Sequence, residues 1–442
     1  MGTRKPNIHL NRLHKEAGWT QGQFARAVNL IGTERGTPTT FGESTVHYWR
    51  KGVTPMEDVR PRICEALSRK LGRPITPAEA GFPSPAHAST SCSIVEELID
   101  LGRQDMERRN LIGAGIFSVA LNIPGWPDVM GRMEAVQTGS ARRVGISDVE
   151  LVKRMTAQLS DTYDEFGGRH TRPLAATFIA QTVAPLLLTD GAVETREAMM
   201  SAAASLCFLT GWMAVDEGMH GIAQRYYVKG LELAGGSGDR LTYCRVLRGV
   251  SVQAVDLGHG AMAVRLADAA AATAPESGPR MRAFMGGQQA HSLAVAGDRS
   301  AALRSLREAE RAMDQAESTS QNLGNYDPAV LAYHVSQVRY ALGDVAGSVD
   351  SLKLHFRLRT PTDTRRSALR FSSILAERQL ELGHVELACN TWAHVLDEYP
   401  KIHSGRVDRH VAAIAQLLSP YRANPTAREV RERALQATRG QV

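Results

Sequence analysis

The sequence predicts an all-α chain, a short helical head followed by a long solenoid of helical hairpins, and two patterns predict it. A glycine followed five residues later by a small residue recurs as Gly218/Ala223, Gly258/Ala263, Gly297/Ala302, Gly343/Ser348 and Gly383/Ala388, at steps of 40, 39, 46 and 40 residues. Ahead of that array, four short apolar-periodic segments fall within residues 8–71, and residues 83–91, rich in Pro, Ser, Ala and Thr, read as a linker.

In the head, residues 8–17 read as a helix with Leu10 and Leu13 on one face, ended by Gly18. Thr20 caps a second helix over residues 21–29, with Phe24, Ala25 and Val28 inward. A third spans residues 43–51 with Val46 and Trp49 inward, closed by Gly52 and Pro55. The fourth spans residues 59–71 with Ile63, Ala66 and Leu67 inward.

Past the linker, residues 93–140 read as a polar helix, an apolar helix over residues 111–123 and a turn at residues 124–127. The apolar run falls short of the roughly 20 residues that a membrane span needs. Ser147 opens, with capping-box spacing to Glu150, a helix that runs to Phe166.

Each repeat glycine ends one apolar-periodic segment by taking a positive φ, and the small residue sits inside the next. Seven residues before the glycines stand Gly211, Ser251, Ala290, Ser336 and Ala376. Nine residues after them stand Tyr227, Leu306, Leu352 and Trp392, with Ala267 as the exception. Small residues on both helices allow close approach, and the larger one plugs the space between hairpins. Two further helices, over residues 407–418 and 426–437, end the array, the last one rich in Arg and Glu as a polar cap.

Charge is divided as sharply as structure. Residues 1–85 hold 13 Lys and Arg against 7 Asp and Glu, whereas the remainder holds 39 of each. A basic head on a neutral body suits a polyanionic partner of the head, such as nucleic acid. Cys64, Cys92, Cys207, Cys244 and Cys389 are widely spaced in apolar text and read as reduced core residues of a cytoplasmic protein. The sequence carries no phosphate-loop, dinucleotide-binding, zinc-protease or nucleophile-elbow motif, so no enzyme, cofactor or metal is expected.

The phrases over residues 19–25 and 44–52 resemble the helix-turn-helix domain of phage-repressor-like (Xre-type) regulators across about residues 7–72, except that residues 30–42 replace a short turn. The resemblance implies that Glu43, Ser44, His47 and Tyr48, with Thr45 beside them, face base edges in the major groove of double-stranded operator DNA, and that Gln21, Arg50 and Lys51 reach phosphates. The repeats resemble the tetratricopeptide (TPR) pattern, best from Ala376 to Pro400. Together with residues 73–82, 166–173, 211–216 and 221–234, they resemble the actinobacterial regulators that join a helix-turn-helix to a TPR region. In TPR geometry the concave face presents Trp212, Arg245, Arg248, His291, Tyr333, Gln337, Tyr340, Arg370 and Glu377 as candidate ligand-binding residues.

The expected division is a DNA-binding head over residues 1–82, a linker over 83–92, a connecting region over 93–146, TPR-like repeats over 147–405 and capping helices over 406–442. The resemblance implies a transcriptional repressor that acts as a homodimer, with no membrane contact. Its solenoid would mediate dimerisation and bind an effector peptide, small molecule or partner protein. The alternative is a TPR scaffold tethered to DNA by a head that does not read sequence.

Overall fold

The computed structural model describes residues 6–34, 39–71, 75, 77, 79–82, 94–107, 144–274, 278–316, 326–359 and 364–439, and among them every regular element is helical. The expected linker and apolar run at 111–123 lie outside the described residues, as does Cys92.

Four helices form the head: α1 (Ile8–Glu16), α2 (Gln21–Glu34), α3 (Glu43–Arg50) and α4 (Arg60–Leu71). Thr20 caps α2 reciprocally, its hydroxyl accepting from the Gln23 amide at 3.2 Å while its own amide donates to the Gln23 side chain at 2.9 Å. Every residue expected to point inward in these helices is buried in one apolar cluster. One boundary needs correction, because α2 continues five residues past Asn29. Asn29 ends nothing; its side chain brackets the returning strand of the loop, donating to the Phe41 carbonyl and accepting from the Phe41 amide, both at 2.9 Å. Phe41 then packs edge-on against Trp49 of α3, at 5.2 Å between ring centres. The long connection therefore still delivers α3 onto α2.

The body opens with α5 (Ile94–Glu107), which buries Val95, Leu98 and Leu101. Next come α6 (Ile146–Phe166), α7 (Gly168–Phe178), a π turn at Ile179–Val183 and α8 (Ala184–Leu187). The cap of α6 lies two residues earlier than expected: the Gly145 amide donates to the Asp148 carboxylate at 2.9 Å, and Glu150 pairs with Lys153 instead.

Five hairpins follow. They pair α9 (Val193–Asp216) with α10 (His220–Gly236), α11 (Arg240–Asp256) with α12 (Gly260–Thr273), and α13 (Pro279–Val295) with α14 (Arg299–Asp314). The last two pair α15 (Pro328–Ala341) with α16 (Val345–Leu358), and α17 (Arg365–Glu381) with α18 (Val385–Glu398). The five repeat glycines sit in the five hairpin turns with φ between +75° and +88°. In the first hairpin a Cβ on Gly211 would lie 2.7 Å from the Tyr227 ring. In the second and fourth, Ser251 and Ser336 donate across to the carbonyls of Ala263 and Ser348, each at 2.8 Å. The expected plugs Tyr227, Leu306, Leu352 and Trp392 are all buried. By length and composition α9 could cross a bilayer, yet most of it is buried within the bundle.

The body closes on itself, which the sequence did not foretell. Helix α19 (Gly405–Leu417), expected as the start of a terminal cap, packs on the last hairpin through α17 and also begins against the first elements, while α20 (Pro425–Arg439) covers the same hairpin through α18. The His403 amide donates to the Phe166 carbonyl at 2.7 Å, and the Arg169 amide donates to the His403 carbonyl at 3.3 Å. Gly167 makes this possible: it has φ +94°, and a Cβ there would run into the His403 backbone. Arg169 adds ion pairs to Glu217 and Asp408.

Candidate functional site

On the head, the alternation along α3 separates a packed face from a bare one. Val46 and Trp49 are buried, while Glu43, Ser44, His47, Tyr48 and Lys51 are exposed and Thr45 is half-buried. Tyr48 is 59% exposed. His47 meets it edge-on at 6.1 Å. These side chains form one continuous strip that could meet the floor of a groove.

The residues expected to reach phosphates sit differently. Arg50 is half-buried and its Nε donates to Asn11 at 2.6 Å. Gln21, oriented to satisfy its neighbours, donates to the Glu43 carbonyl at 3.0 Å and accepts from Arg50 at 3.1 Å. Both therefore join α1, α2 and α3 together, and Arg50 is committed to the head's own framework rather than held out towards a backbone phosphate. Only Lys51 of the three projects freely.

In the body, most of the expected concave residues converge. Arg248 donates from Nε to the Phe284 carbonyl at 3.3 Å, lies 3.1 Å from His334 Nε2 and stacks on the Phe284 ring at 4.1 Å. Burial pushes its guanidinium down to about 10, and neighbouring Arg245 adds to the effect. His291 is pushed down to about 4 by burial; Asp256 opposes this, while Arg370, Arg378 and Arg248 reinforce it. Arg370 pairs with Asp256 at 3.6 Å, and Tyr333 stacks on Phe371 at 4.0 Å. Trp212 lies beneath Arg406, 5.2 Å from ring centre to guanidinium. Gln337 is buried and accepts from Arg378 at 2.8 Å.

Two of the nine are engaged elsewhere. Tyr340 is exposed and donates to Glu381 at 3.1 Å, and Glu377 pairs with His410 at 2.6 Å.

Sequence reasoning missed the charged residues of the ring closure. Arg366 reaches Asp164 at 3.3 Å and Asp216 at 3.6 Å while lying 4.1 Å over Tyr163. Asp216 also accepts from Ser404 at 2.9 Å. Arg406 pairs with Asp256, 150 residues away. Burial pushes the Asp256 carboxyl up, but Arg406 and Arg370 outweigh it and hold it below the ordinary carboxylate value. Tyr163, Asp164, Ser404 and Arg406 stand outside the five hairpins, so no repeat pattern marks them. The one available signal is a run of acidic residues at hairpin ends, Asp216 and Asp256, at the repeat spacing of 40.

Fold and surface thus define an all-helical protein that joins a four-helix head with a basic sequence to a ring of helical hairpins. Residues 10–83, nearly the whole head, match the family model of the SP15 N-terminal domain. No curated protein matches the chain.

Proposed function

We propose that the chain is a DNA-binding transcription regulator of the Xre type, with a helix-turn-helix head and a TPR-like solenoid, acting as a homodimeric repressor in the cytoplasm. The observation that carries this reading is the strip of Glu43, Ser44, His47 and Tyr48, bare on α3 while Val46 and Trp49 anchor the same helix in the core. Such a helix fits the major groove, and its short polar and ring side chains suit base edges. The head's excess of 13 basic over 7 acidic residues up to residue 85 supplies the attraction to phosphate. The solenoid would hold two heads at half-sites about 34–36 Å apart, or at multiples of that, and an effector would act by favouring one ring geometry.

A genome-wide pull-down with the full-length protein, followed by salt titration on the best fragment, tests the reading. The expected result is a discrete inverted repeat whose affinity falls steeply with salt. Diffuse enrichment without a motif would instead make the head a tether and the body the working part.

A further inference from the structure

The interior of the ring is unusual in how its arginines are held. Six of them lie over aromatic rings: Arg245 on Phe208 at 5.5 Å, Arg248 on Phe284, Arg366 on Tyr163, Arg370 on Phe371, Arg378 on Tyr340 and Arg406 on Trp212. A ring face fixes a guanidinium's plane while leaving its N–H edge open, and that edge matches a carboxylate or phosphate with two parallel bonds. Arginines that serve only the fold usually meet carboxylates edge to edge, and several of these do not. Among the described residues Arg248 makes no ion pair, and its polar contacts are a carbonyl and a histidine nitrogen. Arg378 donates to Ser336, Ser348 and Gln337, all neutral. Arg406 is 3% exposed and meets Asp256 through one nitrogen, which leaves Nε and a second terminal nitrogen without a partner.

The charge balance points the same way. Asp256 is the carboxylate that Arg370 and Arg406 share, and Arg409 crowds both of them. With Arg248 and Arg378 close to His291 as well, cations outnumber carboxylates around the centre. Desolvated charge of one sign is costly unless a counter-charge arrives, and Arg406 still holds two donors without a partner.

We infer that the ring interior is a binding site for an organic anion, held through its carboxylate or phosphate by Arg248, Arg370 and Arg406. These residues come from the second hairpin, the fifth hairpin and α19, so the ligand bridges the array to the segment that closes it. The site deepens the effector role proposed above and rests on that reading for its biological purpose, though not for its chemistry.

The test uses the full-length protein and two probes, phenyl phosphate and benzoate, by titration calorimetry and thermal unfolding, with sodium chloride at equal ionic strength as control. The expected result is saturable binding of at least one probe near one per chain, with a rise in melting temperature that chloride does not reproduce. The probe that binds identifies the head group. Arg248→Gln and, separately, Arg370→Gln should each weaken binding by tenfold or more while helicity by circular dichroism stays unchanged. Binding of neither probe, or equal binding by both folded variants, overturns the site; should one variant fail to fold, the other decides. Operator binding is measured on the same preparations, so loss of the anion site with intact DNA recognition leaves the regulator reading standing, and the reverse result removes only that reading.

Discussion

Single residues of the head divide into those that present chemistry and those that hold the presenters in place. His47 is exposed and, among the described residues, is seen in an edge contact with Tyr48, so His47→Ala should leave head stability unchanged and alter preference at one base pair, by about 1–3 kcal/mol. Arg50 is tied to Asn11 and Gln21, so Arg50→Ala should weaken binding to every sequence and also lower the head's melting temperature. A selection experiment on randomised operators, paired with thermal unfolding, separates the two effects. Equal, sequence-blind losses from both substitutions would remove His47 from base reading. In the body, burial drives His220 and His291 down to about 4 from an ordinary 6.5. A group whose folded-state pKa is depressed is neutral in the fold while the unfolded chain takes up its proton. Stability is therefore full above about pH 6.5 and lost as pH falls from there towards 4. The melting temperature should drop between pH 7 and pH 5, and His291→Gln should flatten that drop.

At the scale of elements, the hairpin turns were legible because their signal is local and stereochemical. Five glycines at positive φ are required by backbone geometry, and few other residues adopt that geometry cheaply. The glycines nevertheless act in two ways. Gly383 has open space around its Cα, so Gly383→Ala should cost only the backbone conformation, about 1–2 kcal/mol. Gly211 lies against the buried Tyr227 ring, so Gly211→Val should cost about 1–3 kcal/mol or more through overpacking, and Gly211→Ala less. Trp392→Ala, in the last hairpin, should cost about 3–5 kcal/mol as a fully buried ring is removed. Urea unfolding of the four variants gives the order. The errors in reading came where a side chain reached out of its own helix. Asn29 looks like a helix end and is a brace for Phe41; Gly145 and Asp148, rather than Ser147 and Glu150, form the cap of α6. Propensity describes a residue's own backbone, and these two roles belong to its neighbours.

Across the whole molecule, the closure was illegible because its partners lie 150 to 239 residues apart, and a repeat fixes how neighbouring hairpins meet but not which distant side chains do. An open array adds and loses units almost independently, whereas a closed one makes its first and last elements depend on each other. Cutting the chain after residue 402 should therefore enlarge the body measurably by small-angle X-ray scattering and broaden its unfolding transition. If neither changes, the contacts of His403, Ser404 and Arg406 are incidental to the shape. The same closure governs the order in which the protein can be completed during synthesis. Asp216 and Asp256 leave the ribosome well before Ser404 and Arg406, and until those arrive the two carboxylates lack partners that the finished fold gives them. Every hairpin can form as it emerges, but the closure waits for residues 403–408, and synthesis that stops before them leaves five hairpins whose interior has never been sealed.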